Sequence, residues 1–299
     1  MRTRPKVIAI VGPTSSGKTA LSIAIAKKYK GEVISADSRQ VYKGMDLGTG
    51  KVTPEEMDGI QHHLLDIIEP AEIYTGADFK RDATAALEEI LKRGSCPIIA
   101  GGTFFYLDLL RNKLSVAPVE PNETLRQKLS TLSNATLLEM VFQKDPARAA
   151  TIDRDNRRRL IRALEIIEAV GTVPPTTIKP SPYDWLIIGI NIEKETLHKN
   201  IVTRLQARLD AGLIKEVSNL YAAGISYQRL ESLGLEYRYI ARYLQGIYTK
   251  DEMEKLLETK IKQFAKRQLT WLKRDATIEW FTPLEQEAIF ARVQQFLQK

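Results

Sequence analysis

Cysteine, histidine and long apolar runs are scarce in this sequence. Its 299 residues include one cysteine, Cys96, and three histidines. A single cysteine excludes an intramolecular disulfide and a zinc site built from several cysteines. No apolar run approaches the roughly 20 residues that a membrane-spanning helix needs, and no signal-peptide segment precedes the first strand-like run. We therefore expect a cytoplasmic protein without a membrane partner.

The composition is otherwise that of a globular protein with a basic excess. Hydrophobic residues make up 43% and charged residues 27% of the chain, and the formal net charge is +7. Such an excess favours a polyanionic partner only weakly. The length suits one large α/β domain, or a core domain that carries a smaller insertion.

Strand-like and helix-like segments alternate near the start of the chain. Short apolar runs rich in β-branched residues occur at 7–11, 32–35 and 97–100, and they are typical of strands buried on both faces. Helical periodicity separates them at 18–29, which Gly31 ends, and at 76–93. This alternation predicts an α/β fold with a parallel sheet.

A phosphate-binding loop lies between the first strand and the first helix. The segment fits the pattern G-x-x-x-x-G-K-[ST] fully. Its residues are Gly12, Pro13, Thr14, Ser15, Ser16, Gly17, Lys18 and Thr19. Its backbone amides attract an anion, the Lys18 ammonium reaches an outer phosphate, and the Thr19 hydroxyl can ligate Mg²⁺. Taken alone, the loop favours ATP or GTP and does not identify the phosphate donor.

The middle of the chain differs from both ends. Residues 120–171 show only helical periodicity, a proline-rich stretch follows, and 185–190 reads as a strand that returns to the sheet. We predict a P-loop NTPase-like parallel-sheet core at 1–115 and 183–299, with C-terminal helices. An inserted all-helical domain occupies 116–182 in this prediction.

Polar residues follow the second strand, at the edge where open α/β sheets bind ligands. The segment reads Asp37-Ser38-Arg39-Gln40. Three interpretations of Asp37 stay open: a Mg²⁺ ligand, a cap of the following turn, or a general base. His62 and His63 are adjacent in sequence and lack partners at ligand spacing, which disfavours a metal site there.

Two basic segments have helical phasing. Residues 157–162 contain four arginines, of which Arg158 and Arg162 share a face, and 260–274 contain six basic residues and no acid. Each segment is either a solvated helix face or a contact for RNA phosphates. Trp271, within the second segment, is interpreted as a packing residue rather than a stacking platform for a base.

Together these motifs closely resemble the bacterial isopentenyl-tRNA transferase family, the tRNA dimethylallyltransferases, from about residue 6 to residue 275. Their order and spacing carry the resemblance, which any single motif would not. The matching segments are the loop at 12–19, Asp-Ser-Arg-Gln-Val-Tyr at 37–42, Gly48-Thr49-Gly50-Lys51, His62-His63 with Asp66, Tyr74 with Asp78-Phe79, Gly101-Gly102-Thr103-Phe104-Phe105-Tyr106, Asn156-Arg157-Arg158-Arg159 with Arg162-Ala163-Leu164-Glu165, and Ala265-Lys266-Arg267-Gln268-Leu269-Thr270-Trp271.

The resemblance implies transfer of a dimethylallyl group from dimethylallyl diphosphate to the N6 amine of the adenosine 3′ of the anticodon. It implies that the loop, its catalytic Lys18 and Mg²⁺ stabilise the departing diphosphate. By the same resemblance, Asp37 accepts the amine proton and Thr103 lies near the reacting groups.

The implied partners are dimethylallyl diphosphate and tRNA, bound through its anticodon stem-loop, and we expect a monomer. Arg238 is the candidate for a second diphosphate contact, although the segment Gly234-Leu235-Glu236-Tyr237-Arg238 departs from the compact Gly-Tyr-Lys/Arg pattern of the family. The implied tRNA-binding residues are Asp37, Ser38, Arg39, Gln40, Thr103, Arg158, Arg159, Arg162, Lys266 and Arg267.

Two other functions compete with the transferase. A small-molecule kinase that uses ATP explains the loop and Asp37, but it leaves the arginine-rich helices and the Gly-Gly-Thr turn at 101–103 without a role. A P-loop RNA-binding regulator explains the basic helices, but it leaves the polar crevice without chemistry.

Overall fold

One parallel sheet forms the centre of the fold. The computed structural model describes residues 4–175 and 178–298. Within them the strands are β1 (Lys6–Val11), β2 (Gly31–Ser35), β3 (His62–His63), β4 (Cys96–Ala100), β5 (Asp184–Ile190) and β6 (Ile278–Phe281). Neighbouring strands are parallel and follow the order β3-β2-β4-β1-β5-β6. The predicted α/β class with a parallel-sheet core is confirmed.

Strand β1 is central because its sequence is apolar on both faces. Residues 7–11 are all buried, and Ile8 is in register with Ile98 on β4 and with Leu186 on β5. Burial on both faces is usual where helices cover both sides of a parallel sheet. The loop that follows β1 therefore emerges between the ends of its two neighbours.

The chain divides into two compact units. One comprises Met1–Arg111 and Pro180–Lys299, and the other Asn112–Lys179; the predicted insertion is 116–182. In the sheet-containing unit the helices are α1 (Lys18–Tyr29), α2 (Pro54–Met57), α3 (Gly76–Lys92), α4 (Phe104–Leu110), α9 (Lys194–Asp210), α10 (Leu213–Ala222), α11 (Tyr227–Ser232), α12 (Leu235–Leu244), α13 (Lys250–Leu272) and α14 (Gln286–Gln298). The second unit contains α5 (Glu123–Ser130), α6 (Asn134–Lys144), α7 (Pro146–Thr151) and α8 (Arg157–Val170).

Helices α9 to α13 share one apolar cluster with the segment after β2. Leu205 of α9, Ile240 of α12 and Ala265 of α13 are buried in this cluster together with Val41 and Met45. The polar sides of α9 and α13 are thereby held close to the carboxyl edge of the sheet. None of the helices in the described part of the chain combines the length and apolar character of a bilayer span.

Three local features differ from the sequence-based expectation. Lys30, in the left-handed conformation with φ 50°, ends α1 in place of Gly31. Gly31 instead begins β2, where a Cβ atom would lie 2.8 Å from the carbonyl oxygen of Cys96. Strand β6 was not predicted, because its four residues form no apolar run and, of the four, only Ile278 is buried.

Candidate active site

The loop at 12–19 is tightly folded around a buried hydroxyl. Gly12 is required there, because a Cβ atom would lie 2.8 Å from the Ser16 Oγ. Ser16 is 3% exposed, and its Oγ has no hydrogen-bond partner within the described residues. Ser15 and Gly17 take positive φ angles of 60° and 90°. These turns let successive amides point to one side, as an anion cradle requires.

Lys18 is the charged group of the loop. Its Nζ donates to the carbonyl oxygen of Pro13 at 2.6 Å. Burial lowers the pKa of Lys18, the positive charge of Arg204 adds to this effect, and the carboxylate of Asp37 opposes both, so that the pKa is about 7. The negative groups of the protein therefore do not fully offset the loss of solvation of the Lys18 ammonium. An anion bound in the loop would raise the pKa of Lys18 and favour its charged form.

Two arginines of α9 were missed by the sequence analysis. Arg204 and Arg208 lie one helical turn apart, and the Nη2 of Arg204 donates to the carbonyl oxygen of Gly50 at 3.2 Å. A Cβ atom at Gly50 would collide with both guanidinium groups. Burial and the neighbouring Arg208 lower the pKa of Arg204 to about 10. The only sequence signal was their four-residue spacing on a helix.

Asp37 faces the same cations. Its Oδ1 accepts the amide of Arg39 at 2.8 Å, so the turn-capping interpretation is seen directly. Its charge also acts on Lys18 and Arg204. The carboxylate thus caps its own turn while lying within electrostatic reach of the loop.

Thr103 is brought to the Asp37 turn by the pairing of β2 with β4. Its Oγ1 accepts the amide of Ser38 at 3.1 Å, and its own amide donates to the carbonyl oxygen of Ala36 at 3.1 Å. A Cβ atom at Gly101 would collide with that same Ala36 carbonyl. The glycine at 101 therefore allows the two turns to approach each other closely.

Gln268 of α13 bridges two of these turns. Its Oε1 accepts the amide of Thr14 at 2.8 Å, and its Nε2 donates to the carbonyl oxygen of Gly102 at 2.9 Å. The residue is 6% exposed. Its sequence signal was a polar side chain on a helix face otherwise formed by Ile261, Ala265 and Leu272. Gln268 therefore braces the anion loop from the far end of the chain.

The other residues of the Asp37 segment are half-buried. Gln40 accepts the Ser35 hydroxyl at 2.9 Å and donates to the Gly50 carbonyl at 3.2 Å. Burial lowers the pKa of Arg39, while the nearby groups of Tyr42 and Asp37 oppose that shift.

Arg238 lies in α12, where its Nε donates to the carbonyl oxygen of Glu231 at 3.0 Å. The positive charge that acts on Lys18 comes from Arg204. The role of Arg238 as a second diphosphate contact therefore stays a prediction, and Arg204 and Arg208 have the stronger geometric claim.

The basic side of α13 is open. Lys266 and Arg267 are exposed, and the Arg267 guanidinium lies 5.9 Å from the centre of the Phe264 ring. Trp271 is 37% exposed, with the Arg274 guanidinium 5.7 Å from its ring centre. The interpretation of Trp271 as a packing residue stays a prediction, because the side chain is mostly covered but not buried.

The arginines of α8 separate into two kinds. Arg158 and Arg159 are exposed, with Arg159 3.8 Å from a carboxylate oxygen of Asp153. Arg162 instead donates to Glu165 at 3.2 Å and to the carbonyl oxygen of Val119 at 2.6 Å. The expected shared face of Arg158 and Arg162 does not present both side chains for binding, because Arg162 is used within its own unit.

In the histidine pair, His63 contacts a carboxylate that also binds an arginine. His63 Nε2 lies 2.8 Å from a carboxylate oxygen of Glu32, and the Arg93 guanidinium bonds to the same carboxylate. Across residues 4–175 and 178–298, no group of three or more histidine, cysteine, aspartate or glutamate side chains is suited to hold a metal ion.

A family model described as IPP transferase matches residues 40–275. The chain belongs to the IPP transferase family. The tRNA dimethylallyltransferase of Halalkalibacterium halodurans is 40% identical over 288 residues, which cover 93% of this chain and 91% of that protein. This membership confirms the family and the enzyme class, transfer of a prenyl group to tRNA, that the motifs predicted.

Solved structures of IPP transferase relatives share the fold. A tRNA isopentenylpyrophosphate transferase from Bacillus halodurans superposes with a TM-score of 0.75 at 37% identity, covering 99% of this chain and 97% of its own. A eukaryotic dimethylallyltransferase acting on tRNA gives a TM-score of 0.80 at 28% identity, covering 97% of this chain and 77% of its own.

Proposed function

We propose that this IPP transferase moves a dimethylallyl group from dimethylallyl diphosphate to the N6 amine of the adenosine 3′-adjacent to the anticodon in tRNA, and releases diphosphate. One observation carries the residue assignment. Lys18 and Asp37 lie within electrostatic reach of each other at the carboxyl edge of one sheet. Alkylation of an amine needs both an anion holder and a proton acceptor, and this edge supplies the two together.

The reaction is a substitution at carbon. The lone pair of the N6 amine forms a bond to C1 of the dimethylallyl group, and the C1–oxygen bond breaks with its electron pair leaving on diphosphate. The alkylated nitrogen then carries a proton that Asp37 accepts. A carboxylate within hydrogen-bond reach of the amine suits this role.

The leaving group is stabilised by fixed donors. The loop amides, Lys18 and the two α9 arginines, Arg204 and Arg208, are placed before the ligand arrives. Because negative charge grows on diphosphate as the bond breaks, preorganised cations favour the transition state over the ground state. The glycine at 50 supports this arrangement by leaving room for both guanidinium groups.

Mg²⁺ is the proposed cofactor, with Thr19 as its protein ligand. Thr19 is exposed in the first turn of α1, next to Lys18. A single hydroxyl fits this ion, because Mg²⁺ usually keeps several waters and binds mainly through substrate phosphates. When bound, the ion would neutralise charge on the diphosphate.

The anticodon stem-loop is the proposed RNA contact. Arg158 and Arg159 of α8 and Lys266 and Arg267 of α13 are exposed and suited to phosphates. The target adenosine must leave its stack to reach Asp37, Ser38 and Thr103. A single chain contains every proposed group, so we propose a monomer that acts in the cytoplasm, where tRNA is available.

The test is transfer of label. The protein is incubated with unmodified tRNA, Mg²⁺ and labelled dimethylallyl diphosphate, and the modified nucleoside is identified after digestion. We expect label on the adenosine beside the anticodon and none on a matched tRNA with guanosine at that position. Folded protein that leaves a competent tRNA unlabelled, while it phosphorylates a small molecule with ATP, would support the kinase instead.

A further inference from the structure

A carboxylate lies beside the α9 arginines. Glu236 is in the first turn of α12, and its Oε1 is 3.5 Å from the Nη1 of Arg208. The two side chains are only 17% and 12% exposed. Glu236 falls in the segment where this sequence departs from the family pattern, and neither the proposed chemistry nor the RNA contact uses it.

Glu236 belongs electrostatically to the diphosphate site. Arg208, Arg204 and Asp37 all act on its carboxyl group, while burial raises its pKa. Arg204 in turn acts on Lys18. Glu236 is therefore linked through the α9 arginines to Lys18 of the loop. Its carboxylate would repel a diphosphate bound there, because both are negatively charged.

We propose that Glu236 is a positioning residue that holds the Arg208 guanidinium in the diphosphate site and limits how tightly diphosphate binds. This inference rests on the proposed function. Before the ligand arrives, the Glu236 carboxylate compensates a cation that lies against Gly50. After transfer, its repulsion of the released diphosphate favours product departure.

The geometry allows Glu236 and the ligand to share Arg208. A guanidinium has five N–H donors in a fixed plane, so one edge can remain on Glu236 while another binds diphosphate. Removing the negative charge but keeping an oxygen acceptor should preserve the guanidinium position. A carboxylate a few ångströms from an anion site in a partly buried setting weakens binding by about tenfold.

The experiment measures the affinity of the full-length chain for inorganic diphosphate by titration calorimetry. Glu236→Gln should bind diphosphate about tenfold more tightly than the wild type. Glu231→Gln is the matched control, because Glu231 pairs with Arg242 at 2.7 Å in the same helical region. That control should leave the affinity unchanged.

Steady-state kinetics separates this role from a purely structural one. For Glu236→Gln, KM for dimethylallyl diphosphate and kcat should both fall, since ground-state binding strengthens and product release slows. A merely structural residue would raise KM when altered. Glu236→Met, neutral and without the oxygen acceptor, should bind diphosphate more tightly than the wild type but less tightly than Glu236→Gln. This second variant keeps the test available if the first does not fold.

Two outcomes have different meanings. Wild-type protein that binds diphosphate through Lys18, with Glu236→Gln binding equally or more weakly, would overturn this inference alone. Wild-type protein without measurable diphosphate binding, no different from Lys18→Met, would remove the proposed diphosphate site and this inference with it.

Discussion

Glu165 in the helical unit and Lys18 in the sheet-containing unit both have lowered pKa values, with opposite consequences. Burial alone would raise the pKa of Glu165, but hydrogen bonds from Arg126, the Asn122 amide and Arg162 lower it. The charged form of Glu165 is therefore favoured. Burial lowers the pKa of Lys18 and nearby Arg204 adds to the effect, so its charged form is disfavoured.

This difference distinguishes a charge that stabilises the fold from a charge that is available to bind a ligand. Glu165 has a side chain that is 1% exposed and is satisfied by groups of its own unit. Lys18, Arg204 and Arg208 are three cations, and the carboxylates of Asp37 and Glu236 lie near them. A cation cluster that is only partly compensated by negative groups destabilises the fold, and it marks where an anionic ligand belongs. Substitutions in both units test this contrast.

The largest expected effect is on turnover. Asp37→Asn keeps the Oδ1 acceptor for the Arg39 amide and removes the proton acceptor, so kcat should fall on the order of a thousandfold. Binding of inorganic diphosphate should be retained, because the loop is untouched. Single-turnover transfer to tRNA measures the chemical step, and a near-normal rate would return Asp37 to the role of a turn cap.

Lys18 should link diphosphate binding to pH. Since its pKa is about 7 in the free protein, binding above that pH should draw a proton onto the neutral Lys18 amine, and affinity should weaken as pH rises further. Calorimetry at pH 8 in buffers of different ionisation enthalpy counts the proton. Lys18→Met should abolish this uptake and weaken binding on the order of 100-fold. Identical proton counts in both proteins would contradict the assignment.

The same shift affects folding. Between pH about 7 and the ordinary value of 10.5, the unfolded chain holds more protons at Lys18 than the folded chain. The Lys18 contribution to the free energy of unfolding therefore rises with pH through that window. Urea unfolding of Lys18→Met should show a flatter pH dependence there.

The next substitution tests Glu165, whose charge is balanced by groups of its own unit. Glu165→Gln leaves Arg126 and Arg162, which are 34% and 28% exposed, without their carboxylate. It should lower the free energy of unfolding by about 2 kcal/mol, below the full cost of a fully buried pair. Glu168→Gln, at an exposed pair with Lys144, is the control and should change little. A shift in diphosphate affinity with Glu165→Gln would break the contrast.

The smallest effect is expected on the RNA side. Arg158→Ala should weaken tRNA binding a few-fold and reduce the slope of log affinity against log salt by about 1, because one phosphate contact is lost. Arg162→Ala should act on thermal stability instead, since its guanidinium bonds within the helical unit. Equal salt slopes for wild type and Arg158→Ala would leave α8 a solvated face.

Sequence alone revealed the features that depend on contiguous residues. The loop at 12–19, helix α1 and the buried strands were predicted because local periodicity and turn chemistry fix them. The resemblance to the family implied that Thr103 lies near the reacting groups, and the pairing of β2 with β4 places it beside the Asp37 turn. Arg162 shows the limit, because helical phasing placed it on one face with Arg158 but did not reveal its bonds to Glu165 and to the carbonyl oxygen of Val119.

The missed residues act across long separations. Arg204 and Arg208 belong to a helix without a recognised motif, and Gln268 lies in a matching segment that gave it no role. Only the packing of α9 and α13 on the segment after β2 directs these side chains at the loop. Glu236 stood within a segment recognised as unusual, but its pairing with Arg208 depends on two helices meeting. No local pattern encodes such convergence.

The brace from Gln268 to the Thr14 amide spans 254 residues. Strand β1, among the first segments synthesised, obtains its partner β5 only when Asp184 and the residues after it have been made. The anion loop is thus encoded at the start of the chain and completed near its end. Through most of its synthesis on the ribosome, a nascent chain has the loop sequence without the finished site, and contacts of such long range form slowly. Protein truncated before Gln268 would retain the motif and lose the brace that completes it.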